Sequence, residues 1–281
     1  MYWLSGIAGS GKSTIAQSAA LNATLSDSCI VASFFFSQRD HTQLCDASYV
    51  FPTLAYQLSL ADAGFRKHVS GIVQEQPDIF EKDYACQYKS LIVEPLKAMD
   101  CAQRRIFIVL DAFDECEELG AIDILTALLE EDVNVPKGLK VLTTSRPEAH
   151  LRQVFYTRDN ILKLSLQDID AKDDIRQYLL KTFERPPITL ATPFEPGEKM
   201  ISKLAKSAGD SFIYAASILR FVFDKHEQNP RRRLDIIFGD RTDPEGRPCK
   251  GLDTLYLNIL HQAAPSDATS SIKRRLRTIL G

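Results

Sequence analysis

Apolar residues in the first 167 positions gather into short continuous runs, at 2–4, 29–36, 106–110, 139–144 and 161–166. Runs of this length, rich in β-branched and aromatic residues, predict strands, and the five consecutive apolar residues at 106–110 predict one buried on both faces, as in a parallel sheet. Between them, apolar positions recur with helical spacing. Ile15, Ala16, Ala19, Ala20 and Ala23 predict a small-residue helix without Gly or Pro. Leu54, Ala55, Leu58 and Ala61 predict another, opened by Pro52, whose fixed φ suits a first turn. Helices are also expected over 88–99 and 119–130, loops over 38–46 and 71–83, a turn at Pro136 and Gly138, and a short helix opened by Pro147. Strands alternating with helices predict an α/β fold with a five-stranded, mainly parallel sheet flanked by helices.

From residue 168 the strand-like runs stop. Helical patterns cover 170–183, 195–208, 212–225, 252–262 and 272–280. Pro186, Pro187, Pro193 and Pro196 and a polar loop over 239–251 interrupt them. The expected organisation is an α/β domain over 1–167, a C-terminal helical lid subdomain over 168–250, and the start of a truncated unit over 251–281. Because the first strand begins at the first residue, the chain reads as a fragment or a truncated gene product. Internal repeats and low-complexity tracts are not evident.

Composition narrows the class rather than naming it. A chain of 281 residues, 44% hydrophobic and 25% charged, is ordinary for a globular protein with a sizeable core. Lys and Arg number 34 against 37 Asp and Glu, so no global field points to nucleic acid or a membrane surface. The clusters Arg231–Arg232–Arg233 and Lys273–Arg274–Arg275 read as solvated helix faces. Six dispersed cysteines without a C-x-x-C pair read as free thiols in a reducing compartment. The longest apolar stretch, 212–223, contains Arg220 and is too short to span a bilayer. No secretion signal is read before the loop described next, and a cytoplasmic location is expected.

Candidate chemistry lies at the carboxyl ends of the strand-like runs. Gly6 to Ser13 reads Gly-Ile-Ala-Gly-Ser-Gly-Lys-Ser and matches G-x-x-x-x-G-K-[ST] at every fixed position. Glycines there let successive N–H groups point into one concavity, and a Cβ would block approaching phosphate oxygens. Lys12 supplies a point charge, Ser13 an oxygen suited to Mg²⁺, and the following helix its positive end. The second stretch, Ile106 to Glu115, ends a buried strand in Asp111-Ala112-Phe113-Asp114-Glu115. Ligands in open α/β sheets bind at such strand ends, so Asp111 stands where a metal-holding acid belongs. The alternatives are a turn or capping acid at Asp111, and ordinary helix-starting acids at Asp114 and Glu115. Arg146, after the run ending in Thr143-Thr144-Ser145, is placed either to reach a γ-phosphate or to be solvated. The strand carrying Phe34 to Phe36 is expected to intervene between the loop strand and the acid strand.

With both motifs in hand, the sequence resembles a NACHT domain of the signal-transduction P-loop NTPases with numerous domains (STAND), fungal type, close to the nephrocystin-3-like N-terminal family. The resemblance rests on Trp3 to Thr14, Phe34-Phe35-Phe36, Phe51-Pro52-Thr53-Leu54, Val109 to Glu115, and Thr143-Thr144-Ser145-Arg146-Pro147. The D-x-x-D-E acids are the more diagnostic part. The resemblance implies a P-loop NTPase fold in which Gly6, Ala8, Gly9, Ser10, Gly11, Lys12, Ser13 and Thr14 hold the phosphates of ATP or ADP, with GTP possible. It implies Mg²⁺ at Ser13 and Asp111, water orientation by Asp114 or Glu115, and Arg146 as first sensor. Phe212 stands where related switch families place a proline near the base, which departs from their adenine contact. The truncated unit over 251–281 would be winged-helix-like, and effector and repeat-sensor domains lie outside this chain.

Three functions follow as expectations. The first is an ATP-driven signalling switch that hydrolyses slowly and self-associates through the NTPase module. The second is a non-catalytic nucleotide-binding scaffold. The third, a P-loop phosphotransferase, is disfavoured by the paired acids and the intervening strand. Partners beyond nucleotide and self are not indicated; nucleic acid and membrane are not expected.

Overall fold

The structure is a computed structural model that describes residues 1–26, 28–38, 44–99, 104–130, 135–187, 194–224 and 229–238. It divides into two compact units, Met1–Ile169 and Asp170–Gly281. The first is built on five strands: β1 (Tyr2–Ser5), β2 (Cys29–Phe35), β3 (Arg105–Asp111), β4 (Leu139–Ser145) and β5 (Leu162–Ser165). They form one sheet in the order β2-β3-β4-β1-β5, and every pairing is parallel. The α/β expectation holds, with a sheet that is wholly rather than mainly parallel.

Central position explains the continuous apolar run of β3, whereas the edge strand β5 leaves Leu162 and Leu164 exposed. β3 lies between two strands with helices over the sheet, and Ile106, Ile108, Val109 and Leu110 are all buried. Helix α1 (Lys12–Thr24) packs on β2, β3 and β4, while α2 (Val50–Ala61) packs on β2. The outer edge of β2 is covered by a side chain. Gln57 of α2 accepts from the Ser33 N–H (2.7 Å) and donates to the Ser33 carbonyl (2.9 Å). One amide thus takes the place of a neighbouring strand and blunts an edge that would otherwise pair with another chain.

Three expectations need correction. The strand between β1 and β3 is β4; β2, which carries Phe34 and Phe35, is at the sheet edge. The expected loop over 71–83 begins inside helix α3 (Ala63–Glu75). Asp62 caps that helix, accepting from the Phe65 N–H at 2.9 Å, and Phe65 is fully buried, so one anchor and one cap outweigh the Gly71 signal. The helix expected over 88–99 begins earlier, as α4 (Tyr84–Tyr88), capped by Asp83, continues through a π-helical turn (Lys89–Val93) and ends as α5 (Glu94–Ala98). Pro95 cannot donate back into an α-helical ladder, and the widened turn just before it accommodates that loss. Helices α6 (Glu118–Leu129) and α7 (Ala149–Tyr156) follow β3 and β4.

The second unit contains α8 (Lys172–Glu184), α9 (Glu198–Ala208), α10 (Phe212–Val222) and α11 (Pro230–Phe238). Its core gathers Ile175, Leu179, Ile201, Leu204, Ala215, Ile218, Val222 and Leu234. Arg231 and Arg232 are exposed, but Arg233 departs from the solvated-face expectation. It is buried, donates to the Phe221 carbonyl (2.8 Å) and stacks 4.5 Å over the Phe221 ring. The expected helices over 252–262 and 272–280, the loop over 239–251, the unit over 251–281, the Lys273 cluster, Cys101 and Cys249 lie outside the described residues.

Candidate functional site

The site grows from the ends of three adjacent strands. Past Ser5, the Gly6 N–H still donates to the Ser145 carbonyl at 3.2 Å, so the loop leaves β1 in register with β4. Its turns need glycine: Gly9 has φ 74° and Gly11 φ 93°, both left-handed. Gly6 is constrained by space, since a Cβ there would lie 2.5 Å from Ser10 Oγ and 3.2 Å from Leu166 Cβ. Ser10 closes the loop on itself, its hydroxyl donating to the Ile7 carbonyl at 2.9 Å. Gly11 caps α1 without a side-chain acceptor, so the first-turn N–H groups face outward as an anion-binding end. Ala8, Ser13 and Thr14 are exposed at this rim.

Lys12 folds back over the loop, donating to the carbonyls of Gly6 (2.7 Å) and Ile7 (3.0 Å). Burial lowers its pKa from the ordinary lysine value. Four charges act on it as well: Asp114, Asp111 and Glu115 favour the ammonium, and Arg146 opposes it. The loop lysine, the three acids and the arginine therefore share one electrostatic neighbourhood at the carboxyl rim of the sheet.

Asp111 ends β3 with only 2% of its surface exposed. The Thr144 hydroxyl, at the end of β4, donates to Asp111 Oδ1 at 2.5 Å and accepts from the Ala112 N–H at 3.1 Å. Ala112 is left-handed at φ 55°, which turns the chain sharply into a 3₁₀ segment, Phe113–Glu115. Phe113 anchors that segment, fully buried and edge-on to Phe36 at 5.2 Å. Asp114 is taken up by Arg146: one carboxylate oxygen accepts from the Arg146 N–H (2.8 Å) and the other from Nε (3.1 Å). Glu115 accepts from the Gln38 N–H at 2.9 Å. Thr144 and the Gln38 backbone were not singled out from the sequence. The hydroxyl at the end of the run Thr143-Thr144-Ser145 becomes a signal only once that strand is known to pair with the acid strand.

The donor set fits a magnesium ion carried in with phosphate. Among the described residues no group of three or more His, Cys, Asp or Glu side chains gathers to hold a metal by itself. One carboxylate and one hydroxyl would suit Mg²⁺, which is commonly bound through one or two carboxylates with phosphates and water completing its shell. Among the described residues no helix is long and apolar enough to cross a membrane.

A glycine loop opening a helix, with an acid at the end of another strand of the same parallel sheet, defines a P-loop nucleotide-binding module. Residues 1–146 match the family described as Nephrocystin 3, N-terminal, and the chain belongs to that family. Solved structures that resemble it do so distantly. PCH-2 of C. elegans is 13% identical with a TM-score of 0.43, the match covering 83% of this chain and 58% of that one. The FIGL-1 AAA domain in complex with ADP is 10% identical with a TM-score of 0.42, covering 98% and 76%. Drosophila ORC bound to DNA is 13% identical with a TM-score of 0.37, covering 100% and 61%. No curated protein matches the chain.

Proposed function

We propose that this chain is a NACHT-type module of the STAND class that binds ATP and hydrolyses it slowly, its nucleotide state setting conformation and self-association. The observation that carries this reading is the placement of the Lys12 loop, Asp111 and Arg146 after β1, β3 and β4, three adjacent parallel strands, with Asp114 bound to Arg146. A binding loop alone needs neither the acids nor the arginine. In this reading the loop amides from Gly6 to Thr14 and the Lys12 ammonium neutralise β- and γ-phosphate charge. Ser13 and Asp111 would hold magnesium, which would supply positive charge to offset that of the phosphates.

The hydrogen bonds separate the two remaining acids. Both oxygens of Asp114 are engaged by Arg146, whereas Glu115 is held through one oxygen by a single backbone N–H. Glu115 is therefore assigned to orient the attacking water, and Asp114 to fix the guanidinium that senses the γ-phosphate. In this reading the helical second unit responds to the nucleotide state, and the module works in the cytoplasm as part of a larger receptor. ATP rather than GTP follows from the resemblance.

The test is to identify by mass spectrometry the nucleotide that co-purifies, then measure phosphate release. The reading expects adenine nucleotide and slow turnover that Glu115→Gln lowers by about 10²-fold or more. Equal background rates for both proteins would replace the switch with a nucleotide-holding scaffold. Absence of any bound nucleotide, with no binding on addition, would end both.

A further inference from the structure

We infer that Thr144 is the positioning residue for the metal-binding carboxylate, and that it couples that carboxylate to the turn bearing Asp114 and Glu115. The inference rests on reading the loop as a nucleotide site and names a residue that this reading does not use. A threonine hydroxyl has one proton. Here that proton goes to Asp111 Oδ1, 2.5 Å away, so the Thr144 oxygen faces the Ala112 N–H as acceptor, at 3.1 Å. Thr144 is fully buried and Asp111 nearly so, which leaves water little access as a substitute.

The geometry does two things at once. It occupies Oδ1 and fixes the carboxylate plane, leaving Oδ2 as the oxygen available to a metal-bound shell. It also secures the N–H of the left-handed residue at which the chain turns from β3 into the acid-bearing segment. The next two residues clamp further elements in turn. Ser145 Oγ accepts from Trp3 Nε1 of β1 at 2.9 Å, and Arg146 binds Asp114. The carboxyl end of β4 is thus a wedge whose successive residues fix the acid strand, the loop strand and the acidic turn. Thr144 is the member directed at the metal acid.

The experiment compares ADP affinity in excess Mg²⁺ and in EDTA, by calorimetric titration, for the full chain and for Thr144→Val and Thr144→Ser. Wild type is expected to bind ADP in both conditions, more tightly with Mg²⁺. Thr144→Val should keep the EDTA affinity within about two-fold and lose about ten-fold of the magnesium enhancement, the worth of one charge-assisted hydrogen bond. Thr144→Ser, which retains the hydroxyl, should restore it. A valine variant with the full enhancement overturns the inference while leaving the nucleotide reading intact. A serine variant as impaired as valine assigns the effect to methyl packing and also overturns it. Wild type that binds no ADP in either condition overturns the nucleotide reading, and the inference with it. If Thr144→Val does not fold, Thr144→Ala is read in its place. If only the hydroxyl-bearing variants fold, the hydroxyl serves the fold as a whole, and the inference fails.

Discussion

Asp114 grips Arg146 at two points, its backbone N–H at 2.8 Å and its guanidinium Nε at 3.1 Å. The carboxylate is almost fully buried while the arginine side chain is 48% exposed, so the acid is the fixed partner and the guanidinium the presented one. Two groups that act as a unit are expected to be non-additive. Asp114→Ala and Arg146→Ala should each lower ATP turnover at saturating Mg-ATP by about ten-fold or more, and the double variant should be no worse than the poorer single within about two-fold. Multiplying effects in a phosphate-release assay would show that the two residues work separately.

Lys12 should carry a large share of phosphate affinity. A hydrogen bond to a charged partner contributes about 1.5–3 kcal/mol, so Lys12→Ala should weaken Mg-ATP binding roughly ten- to a hundred-fold in a calorimetric titration. Burial holds the Lys12 pKa below the ordinary value of 10.5, and only the protonated form attracts phosphate. Wild-type affinity should therefore begin to fall at a lower pH than an ordinary lysine would give, and Lys12→Ala should lack that phase of the profile.

How much of this was legible beforehand depends on how local each signal is. The phosphate loop is encoded by adjacent residues whose φ values and spacing are needed whatever the rest of the chain does, and Gly9 and Gly11 have the left-handed backbone expected of them. Asp111 was legible because a strand buried on both faces has one end and the acid sits on it. Thr144 was not, because its importance comes from β4 lying between β3 and β1, a pairing with no local sequence mark. The same pairing misled the placement of the strand with Phe34. α3 was missed because Gly71 reads as a loop signal, whereas the buried Phe65 and the Asp62 cap hold the helix despite it. Arg233 was assigned to solvent by composition, whereas its partners, the Phe221 ring and carbonyl, lie on another helix.

Two buried groups with strongly raised pKa values contribute to the response to alkali. The Cys116 thiol is pushed up to about 12 from 9.0, chiefly by burial, and the Tyr88 hydroxyl to about 12 from 10.0 by burial. In the unfolded chain each ionises at its ordinary value, while the folded protein keeps the proton. The folded state then binds more protons, so stability falls with rising pH, from about pH 9 for Cys116 and about pH 10 for Tyr88. Each group contributes a slope of up to about 1.4 kcal/mol per pH unit across its window. Lys12, whose pKa is lowered, acts in the opposite sense. Urea midpoints measured between about pH 8 and 11 should decline, and Cys116→Ala and Tyr88→Phe should each flatten the decline.

A pair of glycines gives opposite expectations from one chemical change. Gly120 lies in α6 where the helix crosses the turn at Ala47–Tyr49, and a Cβ on it would fall 2.5 Å from the Ala47 Cβ. Glu117 side-chain atoms at 3.1 Å crowd the same point, though they end a flexible chain and can move. Ala47 is fully buried and cannot, so Gly120→Ala must push α6 off that turn at a cost of about 1–3 kcal/mol. Cys45, just before that turn, has its carbonyl accepting from the Glu117 N–H at 3.3 Å, so the displacement reaches the chain just beyond Glu115. Loss of stability should therefore be accompanied by slower turnover. Gly71 sits within α3, and a methyl group added there would meet no atom within 4 Å, so Gly71→Ala adds helix propensity at no steric cost. It should stabilise the protein by about 0.4–1 kcal/mol and leave turnover unchanged. Thermal or urea unfolding of the two variants, with phosphate release beside it, distinguishes a close helix–turn contact from an open helical surface. Equal shifts of one sign would contradict both placements.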